Sequence, residues 1–192
     1  YANGWHITGE MGGVWTPPLK LVDGVWFGLD GQWVGPATRF SSGWGYTRYD
    51  LPDTAGLALS RTDFAPDGRR GVLFGLEITN PGAARTVRLT VDAHSELMGQ
   101  YPWGFTGVTP NASDNLPDTG SFDGRHLRFT DDGALPGAPE HHYAALVGTA
   151  LKPDAGEIGD QFWGPQPGHR CTGTEPGAPA DPKPSQCDDG PF

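Results

Sequence analysis

The chain has 192 residues, among them 30 Gly, 19 Pro, seven Trp, five Tyr and nine Phe, and a formal charge of −10. Without a strict triplet period that Gly and Pro content excludes collagen, and so many aromatic rings exclude a chain that stays solvated. Lys and Arg form no basic cluster in an acidic chain and no apolar run approaches a bilayer span, so neither nucleic acid nor a membrane is an expected partner.

Taken from the N-terminus, strand-like runs occupy 19–22, 25–29, 37–40, 46–50 and 57–64. Five of the seven Trp (Trp5, Trp15, Trp26, Trp33 and Trp44) fall in this first part of the chain. The clearest period-two pattern follows: Val72, Phe74, Leu76 and Ile78 share one face. After Asn80-Pro81-Gly82 the pattern resumes with Val87, Leu89, Val91 and Ala93. This predicts an antiparallel pair closed by a Pro-Gly turn. Residues 97–120 read as a long aromatic, then polar, connection, the kind of loop that carries function. Strands are expected again at 126–130 and 142–149. Asp-Gly occurs six times, at 23–24, 30–31, 67–68, 123–124, 132–133 and 189–190. It is the dipeptide suited to a type I′ turn, so these carboxylates are expected to form turns. No window carries a helical stripe. The expectation is an all-β, antiparallel β-sandwich over 1–150, followed by an irregular Gly/Pro-rich extension or linker over 151–192. The opening at Tyr1 without an initiator Met, and the end at Phe192 just after a turn signal, read as a piece of a larger precursor.

Two aromatic groups stand out as ligand platforms. Trp44 and Tyr46 lie in the glycine-flanked stretch Ser41-Ser42-Gly43-Trp44-Gly45-Tyr46, and Tyr101, Trp103 and Phe105 lie on the long connection. An exposed ring offers its flat apolar face to the C–H side of a sugar, while nearby polar groups serve the hydroxyls. Trp26 and Trp33, inside strand-like runs, are expected in the core. Alternation places Asp92, His94 and Glu96 on one face, where they could form a paired-carboxylate site. Arg88 and Thr90 share that face, and a solvated polar face accounts for it equally. Asp131-Asp132-Gly133 reads as a turn rather than a calcium loop, and His141 and His142 alternate in direction, so they cannot serve one metal without a bulge. No nucleophile elbow, phosphate loop or dinucleotide fingerprint is present, and no metal or other cofactor is expected. Asn111-Ala112-Ser113 matches the short N-glycosylation pattern. Cys171 and Cys187, the only cysteines, would on pairing close a loop worth roughly 3 kcal/mol. Such a bridge implies an oxidising, extracytoplasmic setting; two unrelated free thiols are the alternative.

The stretch from Asn3-Gly4-Trp5-His6 through Met11-Gly12-Gly13-Val14-Trp15-Thr16-Pro17-Pro18 to Leu21-Val22-Asp23-Gly24 resembles the N-terminal region of bacterial secreted, glycogen debranching-like glycosidases. So do Glu77-Ile78-Thr79-Asn80-Pro81-Gly82 and Asp92-Ala93-His94-Ser95-Glu96-Leu97. In that family a β-supersandwich precedes an (α/α)6 barrel. The resemblance covers most of 1–150 and implies a non-catalytic domain that packs on the barrel and helps shape its carbohydrate cleft. The catalytic carboxylates would lie beyond Phe192, so no catalytic residue carries over. The implied partners are the catalytic remainder of the precursor and an oligo- or polysaccharide. A free-standing carbohydrate-binding module and a purely structural assembly domain are the alternatives.

Overall fold

A computed structural model describes residues 13–17, 19–98, 118–134 and 139–159. Among them every regular element is a strand: β1 Val14–Thr16, β2 Leu19–Leu29, β3 Gln32–Trp33, β4 Arg39–Gly43, β5 Tyr46–Thr54, β6 Leu57–Phe64, β7 Leu73–Thr79, β8 Leu89–Met98, β9 Thr119–Phe122, β10 His126–Gly133 and β11 His141–Gly148. They form three antiparallel sheets: β1-β2-β3 with β8 against β2, β4-β5-β6-β7, and β9-β10-β11. The all-β antiparallel class expected of a sandwich is what the chain adopts.

The chain divides into two compact units. The described part of unit 1 is 26–92; that of unit 2 is 13–17, 19–25, 93–98, 118–134 and 139–159. In unit 1, hairpins close on left-handed residue pairs. Asp30 and Gly31 have φ 50° and 80°, and Ala55 and Gly56 have φ 52° and 72°. Both central residues of a type I′ turn need that region, which is why glycine takes the second place. Leu57 and Leu59 of β6 point inward with Leu29, against Val34, Leu51, Ala55 and Val87. In unit 2, Val22, Ala93, Leu97, Phe129 and Ala145 form the core, flanked by Val14, Leu21, Val25, Leu127, Tyr143, Val147 and Ile158.

Three expectations change. Residues of the 72–79 and 87–93 runs are strands, but they do not pair with each other: β7 lies beside β6, and β8 beside β2. The reason lies just past the turn. Asn80 closes that turn, accepting from the Gly82 N–H at 3.0 Å and donating to the Ala83 carbonyl at 2.7 Å. The following segment is then drawn to the β2–β3 turn: Arg88 N–H donates to Asp30 Oδ1 at 2.8 Å, Asp30 N–H donates to the Arg88 carbonyl, and Arg85 faces Asp30 at 3.5 Å. Asp23-Gly24 is not a turn, because β2 runs through it with β1 and β8 as partners. Asp132-Gly133 is likewise strand, with Asp132 opposite His142 in β11. The connection at 97–120 is shorter than expected, since β8 extends to Met98 and β9 begins at Thr119.

Candidate functional site

The sheet β4-β5-β6-β7 of unit 1 has two chemically different faces, fixed by register. On the inner face Phe40 lies opposite Tyr49, Tyr49 opposite Arg61 and Arg61 opposite Leu76. The Arg61 guanidinium stands 4.6 Å from the Phe74 ring centre, 5.4 Å from Tyr49 and 5.5 Å from Phe27. Two hydrogen bonds of 2.6 Å tie it to Asp63. A delocalised, weakly hydrated cation is suited to lie among rings with its charge matched by one carboxylate.

The outer face carries three parallel rows. The first is Gly43, Tyr46, Phe64 and Leu73, each directly opposite the next across four strands. The second is Ser41, Arg48, Thr62 and Gly75; the third is Arg39, Asp50, Ser60 and Glu77. In the first row Tyr46, Phe64 and Leu73 are 47%, 42% and 54% exposed. A Cβ added to Gly43 would lie 2.2 Å from the Tyr46 ring, so the ring lies across the bare glycine backbone. Only glycine permits that approach. At the tip of the β4–β5 hairpin Trp44 is 101% exposed, next to Gly45 at φ 79°. The charged rows are balanced, with Arg48 at 3.6 Å from Asp50 and 3.7 Å from Glu77, and the Ser60 hydroxyl donating to Glu77 at 3.1 Å.

Of the residues proposed from sequence as a carbohydrate platform, the structure therefore brings Trp44 and Tyr46 to one solvent-facing end of a hairpin. Tyr101, Trp103 and Phe105 lie outside the described residues, as do Cys171, Cys187 and the Asn111 motif. Phe64 and Leu73 were missed, although their signal was present: each lies an odd number of steps from its strand's inward residues, which turns it outward. Trp26 and Trp33, expected in the core, are only half-buried and belong to neither core cluster.

Unit 2 holds a second polar group, inside the fold. Lys20, His94, Ser95, Asp118 and Asp131 are all buried. Asp118 Oδ2 accepts the Ser95 hydroxyl and, at 2.8 Å, the Leu97 N–H. Its Oδ1 has no hydrogen-bond partner among the described residues. Burial pushes the Asp118 carboxyl up to about 6, and the nearby Asp131 charge adds to that, against the hydrogen bonds from Ser95 and Leu97 and the charge of His94. Asp131, 3.1 Å from His141 Nε2, is also raised by burial, with His141 opposing. Ring stacking at 4.4 Å joins His141 to Tyr143. This is proton-holding chemistry enclosed in the protein. A glycosidic acid–base pair must instead flank its substrate.

The solvated face expected at Asp92 and His94 is corrected: both are buried, beside Ala93 and Ser95 of the same strand, which are buried too. The Glu96 side chain lies outside the described residues. His141 and His142 do diverge, with His141 at Asp131 and His142 Nδ1 2.7 Å from exposed Asp132. That hydrogen bond raises the His142 pKa. At the Asp123-Gly124 turn, Asp123 accepts the N–H groups of His126 and Arg125, which hold its carboxyl down to about 2. Among the described residues no group of three His, Cys, Asp or Glu is placed to hold a metal ion, and no helix is long and apolar enough to cross a membrane.

No family model, curated protein or solved structure matches the chain.

Proposed function

We propose that the chain is the non-catalytic β-sandwich portion of a secreted glycoside hydrolase, presenting the Trp44–Tyr46 end of the β4–β5 hairpin to carbohydrate. One observation carries this reading: a fully exposed indole beside a half-exposed tyrosine ring packed against Gly43, next to rows of polar side chains. An apolar plate with polar groups alongside is what sugar recognition requires. The resemblance of 1–150 supplies the rest of the proposal, with catalytic carboxylates on a neighbouring barrel from the same precursor. Tyr101, Trp103 and Phe105 are proposed as a second contribution to the cleft, and a Cys171–Cys187 bridge as the mark of an extracytoplasmic protein.

The test is retention of the 192-residue chain on insoluble polysaccharides, with reducing ends assayed in the same tubes. Retention without new reducing ends supports the reading. Release of reducing ends that is lost on Asp118→Asn or Asp131→Asn would instead make this chain an enzyme in its own right. A second reading, a free-standing carbohydrate-binding module, is favoured by one fact: the aromatic row lies wholly within unit 1. The intact mass of the native polypeptide separates the two, since the first requires a precursor larger than this chain.

A further inference from the structure

The outer rows of unit 1 restrict what kind of glycan they fit. Strands in a sheet are about 4.8 Å apart, so the line Gly43–Tyr46–Phe64–Leu73 runs about 14 Å across the sheet. Its members share one face of a single sheet, and Tyr46, Phe64 and Leu73 are offered to solvent. The neighbouring row, Ser41–Arg48–Thr62–Gly75, lies parallel to it at about 7 Å, the two-residue repeat of a strand. The face thus has an apolar row with a row of donors and acceptors at its side. Arg39 and Arg48 are matched by Asp50 and Glu77, so there is no surplus charge to favour an anionic polymer.

The geometry points to a neutral, extended, β-linked chain of pyranose rings with equatorial hydroxyls as the ligand, lying along the Tyr46–Phe64–Leu73 line with its hydroxyl edge toward Arg48 and Thr62. Such a chain is a flat ribbon. Its axial C–H bonds form two apolar faces, and its hydroxyls project along the edges, which matches an apolar strip flanked by a polar one. An α-1,4-glucan coils, so successive rings leave the plane and at most one stacks. This inference rests on the carbohydrate reading proposed above and narrows it to a class.

The probes are cellohexaose and maltohexaose, titrated by calorimetry into the 192-residue chain and into Tyr46→Ala, Gly43→Ala and Leu73→Ser. Cellohexaose is expected to bind at least tenfold more tightly than maltohexaose. Tyr46→Ala should weaken it tenfold or more, and Gly43→Ala should do likewise, since the new methyl group displaces the ring. If circular dichroism shows that Tyr46→Ala fails to fold, Leu73→Ser is read in its place, at an exposed position where folding is not at stake. Equal or tighter binding of maltohexaose, with the same sensitivity to these substitutions, overturns the linear β-linked class and leaves the carbohydrate reading standing. Cellohexaose binding untouched by Tyr46→Ala and Leu73→Ser overturns the site. Binding of neither hexaose overturns the inference and the carbohydrate reading together.

Discussion

In unit 2 the ionisable groups Lys20, His94, Asp118 and Asp131 lie inside the fold, whereas on the outer face of unit 1 Arg48, Asp50 and Glu77 lie beside the exposed rings of Tyr46 and Phe64. Both units are made from antiparallel strands with the same alternation. They differ in what alternation delivers to each face. Where a polar residue shares parity with core residues, as Lys20 does with Val22 and Asp131 with Leu127 and Phe129, it is carried inside; for Asp131 burial raises the carboxyl pKa, so its protonation becomes part of stability. Where aromatic residues fall on the outward parity, as Tyr46 and Phe64 do, they are left free to meet a ligand. The contrast places the buried, pKa-shifted carboxyls in unit 2 and the solvent-facing aromatic row, the proposed recognition surface, in unit 1.

The largest effect that would sharpen this contrast is expected at Phe129, which is fully buried opposite Ala145. Phe129→Ala should cost about 3–5 kcal/mol in denaturant unfolding, through lost burial and the cavity left behind. Next comes pH. The Asp118 carboxyl is raised above its unfolded value of 3.8 to about 6. A carboxyl raised on folding binds its proton more tightly in the native state, so its stabilisation is complete below about pH 4 and is lost as pH rises to about 6. The loss is up to about 3 kcal/mol, and Asp131, raised in the same direction, adds to it. Melting temperatures measured from pH 4 to pH 7 should fall, and Asp118→Asn should flatten the profile. A profile that rises over this range would break the assignment. Smaller again is Arg61→Ala in unit 1, which removes three ring contacts and leaves Asp63 without its cation. About 2 kcal/mol is expected, read from the same denaturant curves. Smallest is Trp44→Ala, within about 0.5 kcal/mol of the parent because the indole is wholly exposed. Its effect should appear in ligand binding alone.

Much of this was legible in residue order. Alternation located the strands around Phe74, Leu59 and Phe129, and Asp-Gly at 30–31 and 123–124 does form turns. The glycines flanking Trp44 gave away its exposure. Partner choice was not legible. The turn at Asn80–Gly82 looks like a hairpin closure by its composition, yet Asp30, distant in sequence, holds Arg88 and sends β8 to β2. Long-range hydrogen bonds of that kind leave no local periodic signal. The Asp118–Ser95 link was hidden for the same reason, since it joins the start of β9 to β8 across a long connection. The exposure of Phe64 and Leu73 was available from parity once register was known, because a residue's face is set by its strand and its neighbours by pairing.

The measurement that bears most directly on recognition by unit 1 is an NMR titration of the indole N–H signals in the 15N-labelled 192-residue chain against a neutral oligosaccharide. The account predicts a saturable shift of the Trp44 signal with those of Trp26 and Trp33 unmoved. A saturable shift at Trp26 or Trp33 with Trp44 silent would contradict it.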